Sequence, residues 1–161
     1  MAQQIYVTIT GTVQGAFKSP GTGPQKGRIP VVSFDLEVES PRDPSTGQAS
    51  GKRQFKPVVF SKEVDAASPQ ILAALVADET LKEVQFDFVK ISSVGKEVVY
   101  HTIKLTNATV ASFEESQQIG EPGGPVVDSR PLDKVSLVFQ KIEMVDIPGG
   151  TSASDDWQIR A

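Results

Sequence analysis

The chain has 161 residues, 39% apolar and 22% charged, with a formal net charge of −4. That suits one globular domain with a buried core, excludes a disordered tail or fibrous repeat, and argues against a nucleic-acid binder with its basic face. With no Cys, disulfide frameworks, thiolate nucleophiles and Cys-ligated metals are excluded too.

The first ten residues, Met1-Ala-Gln-Gln-Ile-Tyr-Val-Thr-Ile-Thr10, have neither a basic nor a long apolar region, so no cleaved secretory signal is expected. No apolar run approaches the about 18 to 20 residues of a bilayer-spanning helix, so no membrane insertion is expected. Instead the run alternates, with Ile5, Val7 and Ile9 on one face and Tyr6, Thr8 and Thr10 on the other, which predicts a half-buried strand. Residues 18–30 hold Pro20, Gly21, Gly23, Pro24, Gly27 and Pro30 and read as a loop. The cleanest alternation is 31–39, with Val32, Phe34, Leu36 and Val38 opposite Ser33, Asp35, Glu37 and Glu39. Residues 40–57 follow as a long irregular segment, punctuated by Pro41, Pro44, Gly47, Gly51 and Pro57 and made basic by Arg42, Lys52, Arg53 and Lys56. Loops beyond about 12–15 residues are uncommon in compact domains, so this one is a candidate contact arm.

Val58-Val-Phe60 predicts a short strand, and a helix is expected over about 68–77. Ser68 suits its N-cap and Pro69 its first position, and Ile71, Leu72, Leu75 and Val76 form a stripe at helical spacing. Further strands are expected at 84–91, 98–114 and 135–145, a second Pro/Gly loop at 119–131, and a polar tail at 148–161. Roughly six to eight short strands with one helix predict a mainly β fold, two antiparallel sheets in a sandwich or barrel with the helix at its side.

Little in this inventory carries chemistry. His101 lies in a predicted strand with no Cys to share a metal and no G-x-S-x-G elbow for a triad. Gly47-Gln-Ala-Ser-Gly51-Lys52-Arg53 has three residues between its glycines where a P-loop has four, lacks the Ser or Thr after Lys, and precedes no predicted helix. Asn107-Ala108-Thr109 matches a glycosylation sequon but falls within a strand. Asp35, Glu37 and Glu39, like Asp155 and Asp156 in the tail, read as solvated carboxylates, and the Phe residues as core. No catalytic, metal or cofactor residue is expected, which leaves a binding or structural role.

Five separated segments resemble the haemolysin-coregulated protein (Hcp) family of type VI secretion. They are Gly27-Arg-Ile-Pro-Val-Val-Ser-Phe34, Ser40 through Arg53 with Lys56-Pro57, Phe60-Ser-Lys-Glu-Val-Asp65 running into Ala67-Ser-Pro69, Val135 through Glu143, and Gly150 through Trp157. They fall in the family's order along essentially the whole chain. The Pro20–Pro24 run has no counterpart. The resemblance implies a single β-barrel domain over 1–161 that acts as a non-catalytic subunit without cofactors. It implies a homohexameric ring, stacked with others into a tube inside a contractile sheath. Its partners would be other copies, a spike, the sheath and small effector proteins carried in the lumen. It also implies a cytoplasmic protein that is expelled from the bacterium. On that reading Ser33, Asp35 and Glu37 line the lumen, with an ordinary outer surface as the alternative. Arg42, Lys52, Arg53 and Lys56 form a ring-stacking arm, with a solvated loop as the alternative. A tube protein of a phage tail, a barrel with an interior ligand, and a two-carboxylate glycosidase remain other readings.

Overall fold

The computed structural model describes residues 3–21 and 26–156. In chain order the elements are β1 (Gln3–Gly11), β2 (Gly15–Ala16), β3 (Ile29–Val31), β4 (Ser33–Asp35), β5 (Val38–Glu39), β6 (Gln54–Phe55), β7 (Val58–Glu63), α1 (Ala67–Val76), β8 (Leu81–Ile91), β9 (Glu97–Ser116), β10 (Leu132–Asp146) and β11 (Thr151–Asp156). Two antiparallel sheets result, a large one and the small β5–β6 pair.

The long strands form because one face of each alternation is apolar. Val7 and Ile9 of β1, Val84 and Phe86 of β8, Ile103 and Leu105 of β9, and Val135 and Leu137 of β10 all point into one buried core. Phe86 meets Phe34 edge-on at 4.7 Å and Phe60 at 5.4 Å between ring centroids. Each such pair contributes about 0.5–1.5 kcal/mol beyond the area it buries.

The pairings close on themselves. From β1 the order runs through β8, β9, β10 and β7 to β4. One residue before β4, the chain has already paired as β3 with the free edge of β1, Ile5 opposite Val31 and Val7 opposite Ile29. Val32 is the hinge between these two pairings, its N–H donating to Ser61 O at 2.7 Å. The predicted strand 31–39 is therefore three pieces, β3, β4 and β5, because it leaves β1 for β7 and then leaves the barrel. Phe34 and Leu36 pack on the core as expected, whereas Val32 and Val38 are exposed.

The helix lies one residue earlier than predicted. Ser68 sits inside its first turn, and the Asp65 carboxylate accepts from the Ala67 N–H at 2.8 Å in the capping role. Ala67, Ile71 and Ala74 bury and Leu75 packs partly against the core, while Leu72 and Val76 are exposed, so only the Ile71 and Leu75 side of the expected stripe faces inward. Small alanines on the inner face let the helix approach the barrel closely. Asp78, in the left-handed region at φ 51, ends it, with Glu79 N–H donating to Ala74 O at 2.9 Å.

Part of the expected polar tail at 148–161 is strand. Residues 151–156 form β11, pairing with β10 from Asp146 to Lys141 where β7 no longer covers that edge. Trp157 and Ile159 lie outside the described residues.

Candidate assembly surface

The basic 40–57 segment is a hairpin arm rather than an irregular loop. β5 and β6 pair at its base, Val38 with Phe55 and Glu39 with Gln54, and Arg42 bridges Ala49 further out. At the tip the Asp43 carboxylate accepts from the Ser45 N–H at 2.8 Å and the Ser45 hydroxyl at 2.7 Å. These two donors hold its carboxyl below the usual range, the hydroxyl contributing most. Gly47, at φ 73, supplies the left-handed residue that returns the chain, its N–H donating to Asp43 O at 2.7 Å. Phe55 anchors the base by meeting Phe139 edge-on at 5.5 Å.

The residues singled out from sequence fall on this arm and its root. Ser33, Asp35 and Glu37 are all exposed and alternate along one face. Glu37 is the point where that face meets the arm, because Lys56 Nζ lies 3.2 Å from Glu37 and 3.6 Å from Glu39. Arg53 makes a two-pronged pair with the Asp155 carboxylate of β11. The pairing holds Asp155 below its ordinary value. Asp155 is thus an ion-pair partner rather than a free acid of a polar tail, and Asp156 accepts from Gln140 Nε2 at 3.4 Å. Arg42 and Lys52 are exposed and make no ion pair among the described residues.

Other sequence candidates resolve into packing. His101 meets Phe88 edge-on at 5.3 Å, with Asp146 3.5 Å from its Nδ1. Among the described residues no three His, Cys, Asp or Glu side chains gather as a metal site. The P-loop-like residues lie in the arm, with no helix after them. Asn107 holds φ 52 within β9 and donates to Gln140 Oε1 at 2.9 Å. An open groove of about 860 Å³ lies between β1, β3 and the end of β7, lined in part by Ile5, Pro30, Val32, Val64, Phe88 and Arg130.

Sequence reading assigned no role to a buried ionic knot, although Lys62, Asp65 and Ser68 lie in a segment that carried the family resemblance. Lys62 is fully buried, its three N–H donors shared among Asp133 Oδ2 at 2.9 Å, Asp65 Oδ1 at 2.8 Å, Ser68 Oγ at 3.0 Å and Glu63 O at 3.1 Å. Asp133 is buried as well, and the Ser68 hydroxyl donates to the same Oδ2. The knot fastens the start of α1 to β7 and β10. A buried pair of this kind is weak evidence for net stability but ties the elements into one geometry.

Residues 6–145 match the family model described as "Type VI secretion system effector, Hcp". The "Major exported protein" of Pseudomonas aeruginosa strain PAO1 is 36% identical over 169 residues, covering 98% of this chain and 97% of that protein. A crystal structure of an Hcp protein superposes with a TM-score of 0.86 at 26% identity, over 97% of this chain and 100% of the other. A double mutant of Hcp1 from the E. coli EAEC 042 pathovar gives 0.83 at 29% identity, over 97% and 99%. The chain belongs to the Hcp family of type VI secretion proteins.

Proposed function

We propose that this protein is a structural subunit of the type VI secretion inner tube. Homohexameric rings of it stack into a tube, which sheath contraction expels with its spike. Small effectors travel in the lumen, and the protein leaves the bacterial cytoplasm with the tube. The single observation that carries this reading is the family match along nearly the whole chain. A closed barrel with a protruding arm supports it. A ring needs two different surfaces on each copy, joined by a rotation that closes, and a stack needs a third contact along the axis.

On this reading Ser33, Asp35 and Glu37 face the lumen, and Arg42 and Lys52 of the arm meet acidic groups on the next ring. Arg53 and Lys56 have partners within their own chain and set the arm's direction. Light scattering after size exclusion, with negative-stain images, should give the mass of about six subunits and annular particles. A monomer at high concentration would sink the reading. Removing residues 43–52 should leave rings but no tubes. A Cys replacing Asp35 should cross-link to trapped cargo and resist labelling from outside capped tubes.

A further inference from the structure

The buried Asp133 carboxylate uses only one of its two oxygens in the knot. Oδ2 takes both the Lys62 ammonium and the Ser68 hydroxyl. Oδ1 is buried and receives no hydrogen bond from any N–H or O–H of the described residues. A carboxylate oxygen left this way is rare in folded proteins and points to a missing donor. Directly opposite Asp133 on β9 stands Glu115, an exposed residue whose side chain shares Asp133's face of the sheet. A row therefore crosses three strands, Lys62 on β7, Asp133 on β10 and Glu115 on β9.

We propose that Glu115 and Asp133 form a proton-binding site, in which a proton on Glu115 is donated to Asp133 Oδ1. The charge count favours uptake. One cation, Lys62, serves three carboxyls here, with Asp65 and Asp133 paired to it directly and Glu115 standing beyond Asp133. The neighbouring Glu114 and Lys134, also paired across β9 and β10, alternate to the other face of the sheet. One bound proton removes a like-charge contact and supplies the missing donor together. The Glu115 carboxyl is accordingly held above its ordinary value, first by the hydrogen bond that its protonated form donates to Asp133, then by burial and the Asp133 charge, with Lys62 opposing. When the proton binds, it fastens the end of β9 to β10 just before the chain leaves for residues 117–131.

The sign of the linkage follows from that direction. With the folded value above the unfolded one, the stabilisation is complete below the ordinary Glu range and disappears as pH rises through the folded value. The test compares the full chain with Glu115→Gln, whose amide offers a permanent donor to Oδ1. Denaturant midpoints would be taken from mildly acidic to mildly alkaline pH. Glu115→Gln should gain on the wild type as pH rises, and the gap should close on acidification. Carbon-13 spectra of Glu-labelled wild type, with Glu115 assigned by its loss in the variant, should show one carboxyl titrating above the ordinary range. Parallel stability profiles, or a Glu115 carboxyl that titrates in the ordinary range, would overturn the site. If Glu115→Gln fails to fold, the wild-type spectra alone decide, with Glu115→Ala providing the assignment.

Discussion

Gly11 is the position where a single methyl group should be felt most. A Cβ placed there falls 2.0 Å from Glu79 Oε2, 3.0 Å from its Cδ and 3.4 Å from Phe17 Cε1. Glu79 has nowhere harmless to go. Its Oε2 accepts the Val13 N–H at 3.1 Å and the Gln14 N–H at 3.0 Å, and its Oε1 accepts Gln14 Nε2 at 3.0 Å. These contacts hold the β1–β2 turn against the end of the helix. A hydrogen bond to a charged acceptor contributes about 1.5–3 kcal/mol. Displacing Oε2 breaks two of them, and water at the rim recovers part of the loss, so Gly11→Ala should destabilise by about 2–4 kcal/mol. For a domain of this size that lowers Tm by about 5–15 °C. Thermal unfolding by circular dichroism would read it, and in a Glu79→Ala background the same substitution should have almost no further effect. Burial pushes the Glu79 carboxyl up, but the Gln14 and Val13 donors outweigh it and hold it below the ordinary value. A depressed folded value means that the clamp is at full strength above the ordinary Glu range and fades as pH falls through the folded value. Gly11→Ala should therefore also blunt this part of the acid sensitivity. A variant melting within about 1 °C of wild type at neutral pH, on the scale of that per-residue relation, would refute the clamp.

Three further substitutions test the interior and the helix. Lys62→Ala strands the buried Asp133 carboxylate and the half-buried Asp65 carboxylate and should cost about 3–5 kcal/mol in urea unfolding. Phe86→Ala empties the centre of the aromatic cluster and should cost about 3–5 kcal/mol by the same assay. Leu72→Lys, on the exposed side of the helix, should leave the stability of an isolated subunit within about 0.5 kcal/mol. A large loss there would mean that the helix presents a different face to the barrel.

The long strands were legible because each buries one face along many residues, and alternation alone reports that. Closure was not legible. Residues 31–39 alternate evenly, and nothing local marks Val32 as the point where pairing passes from β1 to β7. That break is set by strands far away in sequence. β11 was missed for a related reason. Thr151-Ser-Ala-Ser154 has no apolar face, and it is strand only because β10 outruns β7 and offers it an edge. The ionic knot did leave a trace. Val58, Phe60 and Lys62 share one parity, as do Asp133, Val135 and Leu137, so the period of two already places both charges inside. A charge at the end of such a run reads naturally as the strand's exit. Only the register that sets Lys62 opposite Asp133 makes it the core of a joint.

The arm's cations divide into two kinds by where their partners are. Arg53 and Lys56, near its base, are held by Asp155, Glu37 and Glu39 of the same chain. Arg42 and Lys52 are exposed on the hairpin, with no ion pair among the described residues. If the four acted as one undifferentiated basic patch, reversing any two charges would weaken stacking equally. If the base cations orient the arm and the outer pair makes the contact, the two reversals separate. Arg42→Glu with Lys52→Glu should abolish tubes, leave rings intact and leave the arm as resistant to protease as in wild type. Arg53→Glu should instead release the arm from β11, so that cleavage within 40–53 quickens even in isolated rings. All of these pairs are exposed, and ions screen such contacts over about 10 Å at 0.1 M salt. Raised salt should then reproduce both effects together in the wild type, shortening tubes and opening the arm. Equal protease sensitivity in the two variants would return the arm to a uniform charge patch.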